Sequence, residues 1–330
     1  MKPSQRTASL LWILILFSFT FFATLDTFVI EHPYEYVEEP APSAQTTINA
    51  PLQIFFEETA SAAPATPTVS EADRDEATAS PAATVSAVST ENSYSDANIS
   101  ITIQEIRTCG SNVYVADIVL SSPKHLQTAF ANNAYGRNVA AKTSRIANSA
   151  GAILAINGDY YGVRSAGYVI RNGVLYRSKP NRDTEDLVIY RDGSFGIVHE
   201  SQISAHKLLD NGAWNVLSFG PAVLIDGKIT MSDLSKAKLS RTRHPRTAIG
   251  IIDKLHYLFV VSDGRTKSSM GLTLPELAQI MQDLGATTAY NLDGGGSSTM
   301  VFLGKIVNHP TSNGKKISER SVSDIVCIVG

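Results

Sequence analysis

NLDGGGSSTM, residues 291–300, combines the end of a strand, a carboxylate and three consecutive glycines. The apolar run Thr287 to Leu292 predicts the strand, which delivers Asp293 to the glycine turn. Glycine loses more backbone entropy on folding than any other residue, so three together indicate unusual dihedral angles or close approach to a ligand. Successive N–H groups in such a turn can bind anions. The alternative is a tight turn between strands with a solvated aspartate, and the other motifs decide between the two.

The chain divides into three regions of different composition. Residues 1–25 place Lys2 and Arg6 before a long apolar run, which predicts an uncleaved membrane anchor, with a cleaved signal peptide as the alternative. Residues 26–96 are rich in Ala, Pro, Thr, Ser and Glu and are predicted to be a disordered tether. Residues 97–330 form one predicted domain. The tether holds many of the acids, so the domain is net positive and suits anionic substrates.

The domain is predicted to be α+β, with a mixed, largely antiparallel sheet and a few covering helices. Alternating apolar runs are joined by hairpin turns, at residues 109–112, 172–173, 192–193, 226–227 and 253–254. Three segments are predicted as helices, at residues 140–149, 205–209 and 274–284. The clearest of these is 274–284, because Thr273 and Glu276 form a capping-box pattern and Gly285 stops the helix.

Several classes of site leave no trace in the sequence. The 2 cysteines, Cys109 and Cys327, exclude a disulfide scaffold and a Cys-rich zinc site. Both are predicted to lie in strands as buried free thiols, although they would be able to pair if those strands were neighbours. No HExxH, P-loop lysine or GxSxG motif occurs. Asp159, Asp263 and Asp293 are conceivable ligands of Mg²⁺ or Ca²⁺, but no dense acidic loop supports them, so no metal or cofactor is predicted.

NGDYYG, residues 157–162, repeats the layout of the glycine turn, because an apolar strand again ends at a carboxylate, here Asp159. If the two strands were neighbours, Asp159 and Asp293 would project from one sheet edge, as paired carboxylates do in glycosidic cleavage. Tyr160 and Tyr161 would then be placed to stack on a sugar. The alternative is an ordinary turn with both tyrosines in the core.

Three arginines lie where predicted strands begin or end. Arg246 precedes one strand, Arg265 follows another beside Asp263, and Arg320 follows Glu319 at the start of a third. Arginine in such places suits bidentate recognition of phosphate or carboxylate. Surface ion pairs, Arg265 with Asp263 or Arg320 with Glu319, are the alternative and would contribute little to stability. The presence of all three arginines at strand ends in a net-positive domain favours a site that binds a polyanion.

Five ordered motifs give the domain a specific resemblance: AINGDYYG, SFGPAVLIDGKI, RTAIGI, DGR followed by GLTLPELAQIMQDLGATTAYNLDGGGSSTM, and ERSVSDIV. They resemble the phosphodiester glycosidase family over about residues 100–330. The resemblance implies hydrolysis of a sugar-1-phosphodiester in an extracytoplasmic setting. The aromatic residue that usually follows NGD in that family is present as Tyr160.

The resulting hypothesis is cleavage of a glycosyl C1–O bond in an envelope glycan or exopolysaccharide, with no nucleic-acid partner. Asp293 is expected to be nucleophile or base and Asp159 the second carboxylate. Ten residues are expected to bind the substrate: Asn157, Tyr160, Arg246, Asp263, Arg265, Gly294, Gly295, Gly296, Ser297 and Arg320. The alternative is a catalytically silent glycan-binding module tethered at the membrane.

Overall fold

The structure is a computed structural model that describes residues 5–28, 32–33, 87–181, 184–230 and 241–330. The α-helices in these parts of the chain are α1 (Gln5–Phe28), α2 (Thr143–Ser149), α3 (Ala205–Asp210) and α4 (Leu274–Asp283). Across the described ranges, no helix combines the length and apolarity needed to cross a membrane. Most of the predicted tether, residues 26–96, lies outside the described residues.

The largest sheet has nine strands, and all of its pairings are antiparallel. In spatial order they are β16 (Lys228–Ile229), β15 (Ala222–Ile225), β19 (Thr288–Asn291), β17 (Thr247–Asp253), β18 (His256–Ser262), β5 (Ser111–Leu120), β4 (Ile99–Thr108), β3 (Ser93–Ser95) and β2 (Val88–Ser89). Alternation along β4 shows why it forms a half-buried strand, since Ile99, Ile101 and Ile103 are buried while Ser100 and Thr102 are exposed.

Two five-stranded sheets complete the framework, again with antiparallel pairings. The second sheet is β21 (Lys305–Ile306), β20 (Met300–Phe302), β9 (Ala152–Asn157), β23 (Asp324–Val329) and β6 (Leu126–Phe130). The third is β11 (Val174–Arg177), β10 (Val169–Arg171), β14 (Ala213–Leu217), β12 (Glu185–Tyr190) and β13 (Phe195–His199). Two short ladders pair β1 (His32–Pro33) with β7 (Gly136–Arg137), and β8 (Ala141–Lys142) with β22 (Ser321–Val322). The predicted α+β class is confirmed.

A shared hydrophobic core holds the three sheets together. Ile101 of the first sheet, Ile156 of the second and Leu187 of the third belong to one buried cluster. Each fully buried aliphatic side chain of this kind contributes about 1.5–3 kcal/mol relative to an exposed one. Because strands from all three sheets meet in this core, the turns at their ends are held in fixed positions.

Each short helix covers one sheet. Buried residues of α4 pack on the nine-stranded sheet, those of α2 on the second sheet and those of α3 on the third. The capping box predicted for α4 is confirmed: Thr273 Oγ1 accepts from Glu276 N at 3.3 Å, and Glu276 Oε2 accepts from Thr273 N at 2.9 Å. The helix ends at Asp283, with Leu284 as its C-cap.

The predicted hairpins are confirmed, because each turn joins two strands that pair with each other. They connect β4 with β5, β10 with β11, β12 with β13, β15 with β16, and β17 with β18. Asn172 and Asp226 have positive φ, 51° and 49°. Such angles are tolerated best by Asn, Asp and Gly, which is why Asn-Gly and Asp-Gly pairs mark hairpins in a sequence.

The two cysteines are placed differently from the prediction. Cys109 is exposed in the turn between β4 and β5, with φ 50°, whereas only Cys327 is buried; both are free. The β4–β5 turn needs left-handed backbone at Cys109 and Gly110, which takes Cys109 out of the strand and into solvent. Burial raises the pKa of the Cys327 thiol to about 12.

The first strands of the large sheet lie inside the segment predicted as tether. Tyr94 of β3 pairs with Ile101 of β4, and Val88 of β2 pairs with Ser95 of β3. These two short strands are joined to the sheet through their backbone, with β2 at its edge, and their sequence shows no apolar alternation that would mark them. The sheet therefore begins at Val88, which corrects the domain boundary predicted at residue 97.

Candidate active site

The NGD turn and the glycine turn meet although their strands belong to different sheets. Asn157, at the end of β9, donates from Nδ2 to the carbonyl of Asp293 at 2.7 Å. The amide of Asp293 donates to the carbonyl of Gly158 at 3.3 Å. Asn157 Oδ1 accepts from Thr247 Oγ1 at 2.8 Å and from the amide of Thr299 at 3.2 Å. The buried Asn157 therefore fastens the two turns together, and this places it beneath the site as a positioning residue.

The glycine turn is pressed between two other segments, which explains its composition. Gly295 has φ 65°, and its amide donates to the carbonyl of Pro245 at 2.8 Å. A Cβ at Gly296 would lie 2.3 Å from Ser312 Oγ, so no larger residue fits there without movement. The three amides of this turn were expected to bind substrate oxygens. Because that of Gly295 is already bonded to Pro245, the expectation does not hold for it.

The Asp293 carboxylate is held by a hydroxyl and a guanidinium. Ser297 Oγ donates to Asp293 Oδ2 at 2.6 Å, and Arg320 Nη2 lies 3.4 Å from the same oxygen. Arg320 also donates to Ser297 Oγ, from Nη2 at 2.7 Å and from Nε at 3.0 Å, and to the carbonyl of Gly294 at 3.1 Å. Burial raises the pKa of Asp293, while Ser297 and Arg320 oppose that rise. The result is a largely desolvated carboxylate beside a cation that is 44% exposed.

Two arginines flank the glycine turn with unused N–H groups. Arg320 Nη1 donates to no atom within the described residues, although Nε and Nη2 are engaged. Arg265 is exposed, and its Nη1 donates to the carbonyl of Ser312 at 2.6 Å. A Cβ at Gly295 would lie 2.8 Å from Arg265 Nη2, which places this guanidinium directly against the turn. Guanidinium groups so placed suit the oxygens of a phosphodiester.

Asp159 does not share the open face with Asp293. Its Oδ2 lies 2.8 Å from Arg171 Nη2 and accepts from the amide of Ser218 at 2.8 Å, while Oδ1 accepts from the amide of Tyr161 at 2.9 Å. The side chain of Asp159 is fully buried. A carboxylate with both oxygens bonded and no solvent access cannot attack a sugar, so this geometry corrects its expected role as the second catalytic carboxylate.

Arg171 joins Asp159 to a third carboxyl group, that of Asp324. Arg171 Nε donates to Asp324 Oδ2 at 2.9 Å, and both side chains are buried. Burial, reinforced by the Asp159 charge, raises the pKa of Asp324 to about 8. The carbonyl of Asp324 accepts from the amide of Gly158 at 2.9 Å, and the carbonyl of Gly158 accepts from the amide of Asp293, so the cluster supports the NGD turn on which Asp293 rests. Asp324 belongs to the motif ERSVSDIV, whereas no motif in the sequence marks Arg171.

Arg246 is buried instead of facing a ligand. Its Nε donates to the carbonyl of Leu272 at 3.0 Å and its Nη2 to that of Thr242 at 3.0 Å. Burial lowers the pKa of Arg246 to about 10. The expectation that its guanidinium holds phosphate is therefore corrected: Arg246 fixes the segment whose Pro245 carbonyl receives the glycine turn.

Among the other predicted site residues, Asp263 and Tyr161 are buried and Tyr160 is exposed. Asp263 is buried, and its Oδ1 accepts from the amide of His309 at 2.8 Å while Oδ2 accepts from Tyr114 Oη at 3.2 Å. It therefore anchors the chain after β21 and makes no ion pair with Arg265. Tyr160 is 40% exposed beside the NGD turn, but Tyr161 is buried in the core. Of these two tyrosines, Tyr160 is therefore the one available to stack on a sugar.

Sequence comparison connects this chain with one family of hydrolases. The phosphodiester glycosidase family profile matches residues 150–329. An uncharacterised SPbeta prophage-derived protein of Bacillus subtilis, YomE, is 31% identical over 184 residues, 54% of this chain and 28% of the relative. N-acetylglucosamine-1-phosphodiester alpha-N-acetylglucosaminidase of mouse is 26% identical over 196 residues, 54% of this chain and 38% of the relative. The matched region thus spans well under half of either relative.

Solved structures share the fold. The catalytic domain of zebrafish N-acetylglucosamine-1-phosphodiester alpha-N-acetylglucosaminidase, auto-inhibited by its pro-peptide, aligns with a TM-score of 0.56 and 21% identity, over 70% of this chain and 83% of that one. A hypothetical protein from Synechocystis aligns with a TM-score of 0.55 and 16% identity, over 70% of this chain and 62% of that one. At these identities the likeness establishes the fold alone.

Proposed function

Because the chain belongs to the phosphodiester glycosidase family, we propose that it hydrolyses a sugar-1-phosphodiester at the glycosyl C1–O bond, with Asp293 as the catalytic carboxylate. The observation that carries the proposal is the cluster that Asp293 and Ser297 of the glycine turn form with Arg320, which reaches them from immediately before β22. A desolvated carboxylate stands there beside a partly exposed guanidinium, so one group can act on the sugar while the other holds the phosphate.

The chemistry follows from the two charges. As the C1–O bond breaks, its electron pair passes to the phosphate oxygen and positive charge develops on the sugar ring. The Asp293 carboxylate stabilises that positive charge, and either attacks C1 itself or removes a proton from the attacking water. A phosphate leaving group needs little protonation, so Arg320 and Arg265 serve in place of a general acid by stabilising its negative charge. One catalytic carboxylate is then sufficient, which agrees with the burial of Asp159.

The substrate and the setting are finer parts of the proposal. N-acetylglucosamine is the first sugar to test, because the mouse relative's name contains it. The proposed setting is extracytoplasmic, with an envelope glycan or exopolysaccharide as substrate. It is supported by Lys2 and Arg6 ahead of an apolar run, a pattern that directs export whether or not the segment is cleaved.

The test is hydrolysis of N-acetylglucosamine-1-(methyl phosphate) in water enriched in ¹⁸O. Cleavage of the C1–O bond releases N-acetylglucosamine that carries the label, together with unlabelled methyl phosphate. Label in the phosphate would show P–O cleavage and contradict a glycosidase. No turnover of this compound or of other sugar-1-phosphodiesters would favour a silent glycan-binding module.

A further inference from the structure

We propose that the surface beside Asp293 binds a polyanionic substrate, a glycan polymer with repeated phosphodiesters, through a basic rim formed by Arg265, Lys267, Lys315 and Lys316. The inference rests on the proposed function and names the class of substrate for the same site. A single phosphodiester carries one negative charge, whereas the rim adds three exposed lysines to the arginines that flank the glycine turn.

The rim lies next to the glycine turn because the loop 309–320 folds over it. A Cβ at Gly314 would lie 1.9 Å from the carbonyl oxygen of Arg265, so the two backbones are in direct contact. Lys315 and Lys316 follow Gly314 immediately, and both are exposed. Lys267 is two residues from Arg265, in an exposed turn that the Thr266 amide closes on the carbonyl of Ser269 at 2.9 Å. All four cations therefore belong to two segments that touch beside the site.

The positive charge of the rim is not neutralised by its own segments. None of its four side chains forms an ion pair within the described part of the chain. The acids of the same two segments are turned elsewhere: Asp263 is buried against His309 and Tyr114, and Glu319 accepts from Ser144 Oγ at 2.6 Å. Exposed cations without counter-ions attract an anionic chain most strongly at low ionic strength.

A polymer is the occupant that this charge pattern fits. Arg320 and Arg265 already flank the turn where one phosphodiester would react. Lys267, Lys315 and Lys316 lie outside that position, so they would meet the next phosphates of a chain and leave a short, singly charged substrate untouched. The rim is therefore expected to lower KM for a polymer and to have no effect on a small substrate.

The experiment compares two charge-reversed double variants with the wild type. K315E/K316E changes the rim, and K124E/K254E is the matched control, because both of its lysines are exposed. Lys254 lies in the β17–β18 turn, and the 7 residues of β18 separate that turn from Asp263 by roughly 23 Å. Each protein is assayed on N-acetylglucosamine-1-(methyl phosphate) and on a polymer of N-acetylglucosamine-1-phosphate diesters, and its folding is checked by a thermal melt.

KM for the polymer is expected to rise about fivefold or more in K315E/K316E at about 0.01 M salt, and the difference to shrink near about 0.15 M, where charges are screened within about 8 Å. KM for the methyl ester and both KM values of the control are expected to stay unchanged. If all proteins hydrolyse both substrates and K315E/K316E has the same KM for the polymer as the wild type, the proposed role of the rim is refuted. The proposed function of the enzyme then still stands.

Calorimetry with inorganic polyphosphate measures anion binding by the rim independently of catalysis. If no variant hydrolyses either substrate, the proposed function fails, but polyphosphate binding that is lost in K315E/K316E and kept in the control still supports a polyanion surface. Equal polyphosphate binding by the wild type and both variants would overturn the proposal that the rim binds polyanions. K315Q/K316Q, which removes charge without reversing it, replaces the first variant if that one does not fold.

Discussion

Replacing Arg320 by Gln tests how the site divides its work between sugar and phosphate. The substitution removes the charge at 3.4 Å from Asp293 Oδ2 and the unused Nη1 group proposed to meet the phosphate. Two unit charges at that distance attract by about 5 kcal/mol at an effective dielectric constant of 20. Arg320 is 44% exposed, however, so water screens the ion pair. Its net contribution to stability is therefore about 1 kcal/mol.

Two effects on activity are expected from this change. Loss of a donor to the developing phosphate charge should lower kcat about 10²- to 10³-fold. Loss of the guanidinium also removes an influence that lowers the pKa of Asp293, so the acid limb of the profile of kcat/KM against pH should move to higher pH. Both effects are read from one set of assays on N-acetylglucosamine-1-(methyl phosphate).

Arg265→Gln is the matched control, because Arg265 contacts the carbonyl of Ser312 and not Asp293. It should lower kcat/KM and leave the acid limb in place. An Arg320→Gln enzyme whose acid limb coincides with that of the wild type would refute the coupling between Arg320 and the catalytic carboxylate. Unchanged kcat would remove Arg320 from the phosphate site.

Three further predictions concern stability and location. Burial raises the pKa of Asp324 to about 8 and that of the buried Asp186 in β12 to about 9, from 3.8; the stability that their protonated forms contribute is complete below about pH 4 and is lost as pH rises to these values, so Tm should fall between about pH 4 and 9 and level off above, and a Tm that stays flat across this range would contradict it. Arg246→Lys should cost about 1–3 kcal/mol of unfolding free energy by weakening the hydrogen bonds to the carbonyls of Leu272 and Thr242; a melting temperature equal to that of the wild type would argue against that role. The full chain should sediment with membranes, whereas recovery only from the medium would favour a cleaved signal.

Local structure was predictable where single residues determine it. Asn172-Gly173 and Asp226-Gly227 mark hairpins because their turns need positive φ, and the Thr273–Glu276 pair marks the start of α4 through its reciprocal hydrogen bonds. In each case the partners are at most a few residues apart. Local chemistry therefore determines the structure, and the sequence displays that chemistry directly.

The site was predictable only in part, because its contacts join distant segments. Asn157 and Asp293 are 136 residues apart and lie at the ends of strands in different sheets, so the meeting of their turns follows from the packing of whole sheets. The same packing buries Asp159 against Arg171 and turns Arg246 inward. Strand ends predict that a side chain is near a site, but they do not predict which face of the turn it occupies.

The catalytic role of Asp293 is decided by kcat of Asp293→Asn on N-acetylglucosamine-1-(methyl phosphate), measured beside a thermal melt of the same preparation. Asparagine keeps the shape and can still accept from Ser297, but it lacks the charge that the sugar cation or the attacking water requires. A loss of at least about 10²-fold in kcat is therefore expected, with little change in Tm. Asp226→Asn, in the exposed β15–β16 turn, should retain full activity. Wild-type turnover by a folded Asp293→Asn protein would contradict the assignment of Asp293 as the catalytic carboxylate.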